Sequence, residues 1–186
     1  EDYHVRDRWD APCPPAYKPG TMDQAWYAKA WIDTVQWHLE DEVRRRDLPS
    51  DQLMEIKRRI DALNQERTDA VEALDLRLAE LLQPVPAVNG AVHTESLAWA
   101  LDRPCILQLK RYHLRVEVER SDASDDHRAA CGQRLAAADG QHNDLMAACA
   151  ALWADVQSGQ VRYTPYRQFK LYNDPATNPA LYGGQG

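Results

Sequence analysis

Residues 50–82 read SDQLMEIKRRIDALNQERTDAVEALDLRLAELL, and this stretch decides the fold class. Its apolar side chains recur at steps of three and four residues, which places them on one face of an α-helix. They are Leu53, Met54, Ile56, Ile60, Leu63, Ala70, Leu74, Leu78 and Leu81. Pro84 and Pro86 follow and end the helix, because proline lacks the N–H that a continuing helix needs. We therefore predict one long amphipathic helix over residues 50–82.

A first helix is predicted over residues 21–46. Thr21 followed by Gln24 is typical of a capping box, in which side chains bond the free N–H groups at a helix start. Pro49 closes this helix. Only a short link separates it from the helix at 50–82, so the two are expected to pack as an antiparallel hairpin.

The second half of the chain predicts another hairpin. One helix covers residues 95–121 and the next covers 125–157, with a short polar turn over 121–126 and Gly159 as the final stop. Pro104 falls inside the earlier helix, where it is expected to kink the helix or mark a delayed start.

These elements predict an all-α protein, an antiparallel four-helix bundle over residues 21–159 made of hairpins at about 21–82 and 94–159. Residues 1–20 are rich in proline and aromatic side chains and are expected to form an irregular N-terminal arm. Residues 160–186 are rich in tyrosine and proline and are expected to form a C-terminal tail that packs on the bundle.

Composition excludes several classes of protein. The net charge of -7 disfavours a nucleic-acid binder, because neutralising phosphates requires an excess of Lys and Arg. No apolar run approaches the roughly 20 residues of a membrane span, and the start of the chain has no signal-peptide pattern. The four cysteines form no CxxC pair, so buried free thiols and a cytoplasmic location are expected.

The two hairpins resemble each other at one constant offset of 75 residues. Residues 37–43 align with 112–118, and 59–62 align with 134–137 without a gap. A single offset shared by two helices favours internal duplication. Equivalent side chains would then face each other across a pseudo-twofold axis.

Polar residues recur inside this repeat. His38 and Glu42 share one face of the first helix, and His113 and Glu117 repeat the arrangement on the third. In the second and fourth helices, a polar side chain interrupts the apolar stripe at equivalent positions. We therefore expect a polar layer inside the bundle. Its members are His38, Glu42, Arg67, His113, Glu117 and His142.

Three interpretations of this layer stay open. Imidazole and carboxylate groups on facing helices are how bundles hold iron or manganese, which makes His38, Glu42, His113, Glu117 and His142 candidate ligands of a transition metal. The His-x-x-x-Glu spacing departs from the usual Glu-x-x-His of di-iron bundles. A metal-free pocket for a small polar or anionic ligand, anchored by Arg67, is the second interpretation. A network that only satisfies itself and holds the helices in register is the third.

Acid–base chemistry would fall to His38, His113 and His142, because imidazole titrates near neutral pH. The tail carries aromatic side chains at 163, 166, 169 and 172. It either packs over the end of the bundle or acts as a lid that brings Lys170 or Tyr172 to a bound ligand.

Four segments resemble DUF4254, a bacterial family of proteins of unknown function. They are residues 37–41, 60–67, 109–113 and 169–175. The resemblance spans roughly residues 22–180, and the Lys-x-Tyr-Asn-Asp-Pro pattern of the tail is its most specific element. It supplies no catalytic residues. It implies a partnership with enzymes that build envelope sugars. The sequence departs from the family at Arg103-Pro104-Cys105 and in the arm at 1–20.

Two functions follow as hypotheses. The first is a ligand-binding or metal-binding bundle, and perhaps an enzyme, with its site in the polar layer. The second is an interaction or scaffold protein, either a homodimer or the partner of a biosynthetic enzyme, for which six tryptophans in 186 residues supply aromatic surface.

Overall fold

The computed structural model describes residues 12–82 and 89–182, and the protein is all-α with four long helices in this part. The long helices are α1 (Met22–Glu42), α2 (Ser50–Leu82), α3 (Leu97–Glu119) and α4 (Asp125–Gln157). A 3-10 turn at Leu171–Asn173 and the short helix α5 (Pro179–Tyr182) follow in the tail. Residues 1–11 of the predicted arm, Pro84, Pro86 and residues 183–186 of the tail lie outside the described residues.

The helix ends confirm most of the predicted boundaries. The Thr21 hydroxyl accepts a hydrogen bond from the Gln24 amide at 3.3 Å, as a capping residue does. Gly159 has a φ of +75°, the left-handed conformation that ends many helices and that favours glycine. α1 stops at Glu42, four residues before the predicted end at 46. Pro104 lies inside α3 and is buried, so it does not delay the start of that helix.

Helices that are adjacent in sequence pack against each other, α1 with α2, α2 with α3 and α3 with α4, which confirms a helical bundle. α1 also meets α3, where the Trp37 and His113 rings stack with centroids 4.6 Å apart. α4 covers a smaller share of its surface than α2. The equivalents of the buried residues Val71 and Asp75 of α2 are Met146 and Ala150 of α4, and both are exposed.

The 75-residue offset extends to the helix bounds and to specific contacts. α1 and α3 begin at residues 22 and 97, while α2 and α4 begin at 50 and 125 and end at 82 and 157. Gln36 Nε2 donates to Asn64 Oδ1 at 2.9 Å, and 75 residues later Arg111 Nε donates to Asp139 Oδ1 at 2.6 Å. The two hairpins therefore share length, register and a helix–helix hydrogen bond.

Two apolar clusters form the core. One lies between α1 and α2 and includes Val35, Leu39 and Ile60. The other joins α2, α3 and α4 and includes Leu74 and Leu152. Each such side chain contributes about 1.5–3 kcal/mol when it is fully buried.

A buried carboxylate connects α2 to α3. The Asp75 side chain accepts hydrogen bonds from the Ser96 hydroxyl and, at 2.8 Å, from the Ala98 amide at the start of α3. The Tyr163 hydroxyl donates to the same carboxylate at 3.0 Å and to the Asp75 carbonyl at 2.7 Å. Asp75 thus caps α3 from a neighbouring helix and fastens the start of the tail to the bundle.

No helix in the described ranges is long and apolar enough to cross a membrane. Cys131 and Cys149 are buried, Cys105 is partly buried and Cys13 is exposed, all as free thiols. The cytoplasmic location stays a prediction.

Candidate functional site

Four charged side chains from three helices meet in the interior of the bundle. Lys29 and Asp33 come from α1, Arg67 from α2 and Asp102 from α3. The Lys29 side chain is 0% exposed and the Asp33 side chain 4%, while Arg67 retains 27%. We call these residues the charged cluster. On α2, Arg67 lies between Leu63 and Val71, which belong to the two different apolar clusters.

The cluster pairs two cations with two carboxylates. Lys29 Nζ lies 2.6 Å from Asp33 Oδ2 and also pairs with Asp102. Arg67 pairs with Asp102 and places its Nε 3.3 Å from Asp33 Oδ1. The formal charges therefore cancel, which burial of four charges requires, because an unpaired buried charge costs several kcal/mol.

Hydrogen bonding in the cluster is incomplete. Asp33 Oδ1, Arg67 Nε and Asp102 Oδ1 are buried atoms without a well-aligned partner in the described residues. Burial raises the pKa of Asp33 to about 6, although the charge and hydrogen bond of Lys29 oppose this shift. A carboxyl group with this pKa exchanges a proton near neutral pH.

The cluster opens into a cleft of about 430 Å³ between α1, α2 and α3, which we call the polar cleft. Asp33 and Arg67 form its floor, the Trp37 indole forms one wall, and Ile106 and Leu109 of α3 form another. Further polar side chains surround these residues. They are Gln36, Glu40, Asp41 and Arg44. The volume lies within the 300–1,000 Å³ of typical small-molecule sites.

The tail reaches the edge of the charged cluster. Lys170 Nζ donates to the Asn64 carbonyl of α2 at 2.6 Å, and Asn173 Nδ2 donates to Gln65 Oε1 at 3.0 Å. Burial lowers the pKa of Lys170, and the charge of Arg67 lowers it further. Of the two predicted tail ligands, Lys170 is thus held near Arg67, whereas Tyr172 is exposed.

His38 and His113 are brought together, as the repeat predicts. Their ring centroids are 5.6 Å apart, and His113 stacks on Trp37. Burial lowers the pKa of both imidazoles, and His38 lowers that of His113 further. Both rings are therefore neutral at pH 7.

The other members of the predicted polar layer lie elsewhere. Glu42 pairs with Arg45 at 3.0 Å, and its equivalent Glu117 pairs with Arg120 at 2.8 Å and with His127 at 2.7 Å. His142 lines a different cleft beside Trp26 and Met146. The six residues consequently do not form one layer, because each glutamate lies in the last turn of its helix and pairs with an arginine just beyond it.

No group of three or more His, Cys, Asp or Glu side chains within residues 12–82 and 89–182 has the arrangement of a metal site. The predicted iron or manganese centre at His38, Glu42, His113, Glu117 and His142 thus has no support in the geometry. The separation of Glu42, Glu117 and His142 from the two stacked imidazoles is the physical reason.

Lys29, Asp33 and Asp102 are the residues that sequence reasoning missed. Their signal was present, because Lys29 and Asp33 are a charged pair four residues apart inside a tryptophan-rich helix stretch. The repeat drew attention elsewhere. The equivalents of Lys29 and Asp33 are Pro104 and Gln108, so the charged cluster is not duplicated.

No curated protein and no solved structure matches this chain. The family model described as a protein of unknown function, DUF4254, matches residues 23–164. This match covers all four long helices and the tyrosine that binds Asp75. The chain therefore belongs to the DUF4254 family.

Proposed function

We propose that this protein binds a small, uncharged, polyhydroxylated molecule in the polar cleft. One observation carries the proposal: a buried charged cluster presents Asp33 and Arg67 at the floor of a cleft that is walled by Trp37. Fixed polar groups at the base of a partly apolar cleft are typical of small-ligand sites.

The balance of charge favours an uncharged ligand. The carboxylates lining the cleft belong to Asp33, Glu40 and Asp41, and they outnumber the guanidinium groups of Arg44 and Arg67. Arg67 is already paired with Asp33 and Asp102, and Arg44 with Glu40, so neither cation is available to anchor an anion. This argues against the anionic ligand that the sequence left open.

The chemistry of the lining suits hydroxyl groups. Carboxylates accept hydrogen bonds from them and guanidinium groups donate to them. The apolar body of Trp37 offers a flat surface for the C–H face of a ring, with an indole N–H at its rim. A monosaccharide unit combines these features.

The same geometry suits proton transfer. Asp33 faces the cleft with a pKa of about 6, and its neighbours Lys29 and Arg67 stabilise its ionised form. If the protein is an enzyme, Asp33 is the group we expect to exchange a proton with the ligand. His38 and His113 are then second to it, because they lie against Trp37 and not in the lining of the cleft.

The test is a titration of the purified protein with glucose, galactose, mannose and N-acetylglucosamine, followed through the NMR signal of the Trp37 indole N–H. At least one sugar should give a saturable shift of this signal. Asp41→Asn, in the lining, should weaken binding severalfold, whereas Asp144→Asn, exposed on α4, should not. Glucose 6-phosphate and glucuronate should bind more weakly. Absence of a saturable shift with all four sugars, or tighter binding of the anions, would contradict the proposal.

A second candidate function is docking of a partner protein on the tail. Phe169, Leu171 and Tyr172 are 72%, 60% and 64% exposed, and Leu181 and Tyr182 add further apolar surface. The partner that the family resemblance implies is a bacterial enzyme of envelope-sugar synthesis. Loss of partner capture on combined alanine substitution of Phe169 and Tyr172, without loss of sugar binding, would favour this second function.

A further inference from the structure

A second cleft lies on the side of the α1–α3 pair that faces α4. It consists of two adjoining cavities of about 390 and 230 Å³, which share Ala30, Cys105 and Gln108. The larger cavity is mostly apolar and is walled by Trp26, Leu101 and Met146. The smaller one reaches toward the C-terminal part of α3.

This second cleft is the counterpart of the polar cleft under the 75-residue repeat. Four residues that line the polar cleft have equivalents that line the second one. The pairs are Asp33 and Gln108, Trp37 and Tyr112, Glu40 and Arg115, and Arg67 and His142. Duplication thus produced two clefts, one on each side of the α1–α3 pair.

The replacements change what such a cleft binds. The carboxylates of Asp33 and Glu40 have become a neutral amide and a guanidinium, at Gln108 and Arg115. The larger cavity contains no Asp, Glu, Lys or Arg in its lining. Burial raises the pKa of the Cys105 thiol, which is consistent with an apolar surrounding.

One cation marks the far end. Arg115 lines the smaller cavity and is exposed, and in the parts of the chain that the structure describes it pairs with no carboxylate. By contrast, Arg44 and Arg67 of the polar cleft are both paired. Leu101 and Arg115 are 14 residues apart on α3, or about 21 Å at 1.5 Å per residue.

We propose that the second cleft binds a small amphiphile, with its apolar chain against Trp26, Leu101 and Met146 and one anionic head group on Arg115. Charge complementarity selects this ligand, since an apolar cavity without formal charge adjoins a single uncompensated cation. The site is independent of ligand binding in the polar cleft.

Decanoate is the probe, with 1-decanol as its uncharged analogue, in isothermal titration of the intact chain. Decanoate should bind saturably to one site and more tightly than the alcohol. Arg115→Gln should lower the affinity for decanoate about tenfold, toward that of the alcohol, because it removes one charge-assisted contact. Arg134→Gln, exposed on α4, is the matched control and should leave the affinity unchanged.

Ala30→Trp fills the cleft where its two cavities join and should abolish binding of both probes, whereas Ala151→Trp, on an exposed part of α4, should not. Met146→Trp narrows the apolar cavity from α4 and serves if circular dichroism shows that Ala30→Trp is misfolded. Decyl phosphate distinguishes phosphate from carboxylate as the preferred head group. The proposal is overturned if wild-type protein binds neither probe, if the filling variant binds as wild type does, or if Arg115→Gln leaves decanoate affinity unchanged.

Discussion

Arg67 and His142 occupy equivalent positions in the two hairpins, yet Arg67 closes a buried ion-pair cluster whereas His142 lines an apolar cleft. The helix bounds around these residues superimpose at the same offset. The duplicated backbone has therefore kept its geometry while its two clefts have acquired different chemistry.

Replacing Arg67 by methionine should destabilise the fold by about 3–5 kcal/mol. The substitution keeps the length of the side chain but leaves two buried carboxylates, Asp33 and Asp102, to share Lys29 alone. Urea unfolding followed by circular dichroism measures this change.

Arg103→Met is the matched control. Arg103 pairs with Glu95, but its side chain is 62% exposed, so its loss should cost less than about 1 kcal/mol. Equal losses for the two variants would show that the charged cluster does not hold α1, α2 and α3 together.

The pH dependence of stability should report the titration of Asp33. Its pKa is about 6 in the folded protein and 3.8 in the reference state, so the folded protein binds the proton more tightly. Stability from this group is present at low pH and is lost as the pH rises through about 4 to 6. Between pH 5 and pH 7.5, wild-type protein should lose about 1 kcal/mol relative to Asp33→Asn.

Asp75, whose pKa is also raised by burial, is unchanged in both proteins and cancels in this difference. Parallel stability curves for wild type and Asp33→Asn would mean that Asp33 stays ionised throughout the range.

The architecture could be predicted from the sequence because its determinants are local. The apolar period of residues 50–82, the cap at Thr21 and the stop at Gly159 each depend on a few neighbouring residues, and each is found in the structure. The early end of α1 could not be predicted, because Arg45 pairs with both Glu42 and Asp47 across the turn that follows.

The site was harder to predict because it is not local. Asp102 meets Lys29 from a helix that lies more than 70 residues away in sequence, and no pattern in either helix alone predicts that contact. The repeat correctly paired His38 with His113. It could not reveal the charged cluster, which occurs in one copy.

Replacing His38 by glutamine should raise the pKa of His113. Burial is the main reason that this pKa lies below 6.5, and the neighbouring His38 adds to the effect. Removing one imidazole removes that addition, so His113 should titrate closer to its ordinary value. NMR titration of the His113 ring carbons measures the shift, and the opposite variant, His113→Gln, provides the comparison at His38. A lower or unchanged pKa in His38→Gln would show that the two rings are not electrostatically coupled.

Two tyrosines of the tail offer a matched pair for its attachment to the bundle. The Tyr163 hydroxyl donates to the buried Asp75, whereas the Tyr166 hydroxyl donates to the His93 carbonyl at 2.9 Å in an exposed position. Tyr163→Phe should cost about 1–3 kcal/mol, because it leaves a buried carboxylate that caps α3 short of one donor. Tyr166→Phe should cost less than about 1 kcal/mol, because water replaces the lost donor. Hydrogen exchange at the Ala98 amide should also accelerate in Tyr163→Phe alone, since that amide is bonded to the same carboxylate. Equal behaviour of the two variants would show that Asp75 holds α3 without help from the tail.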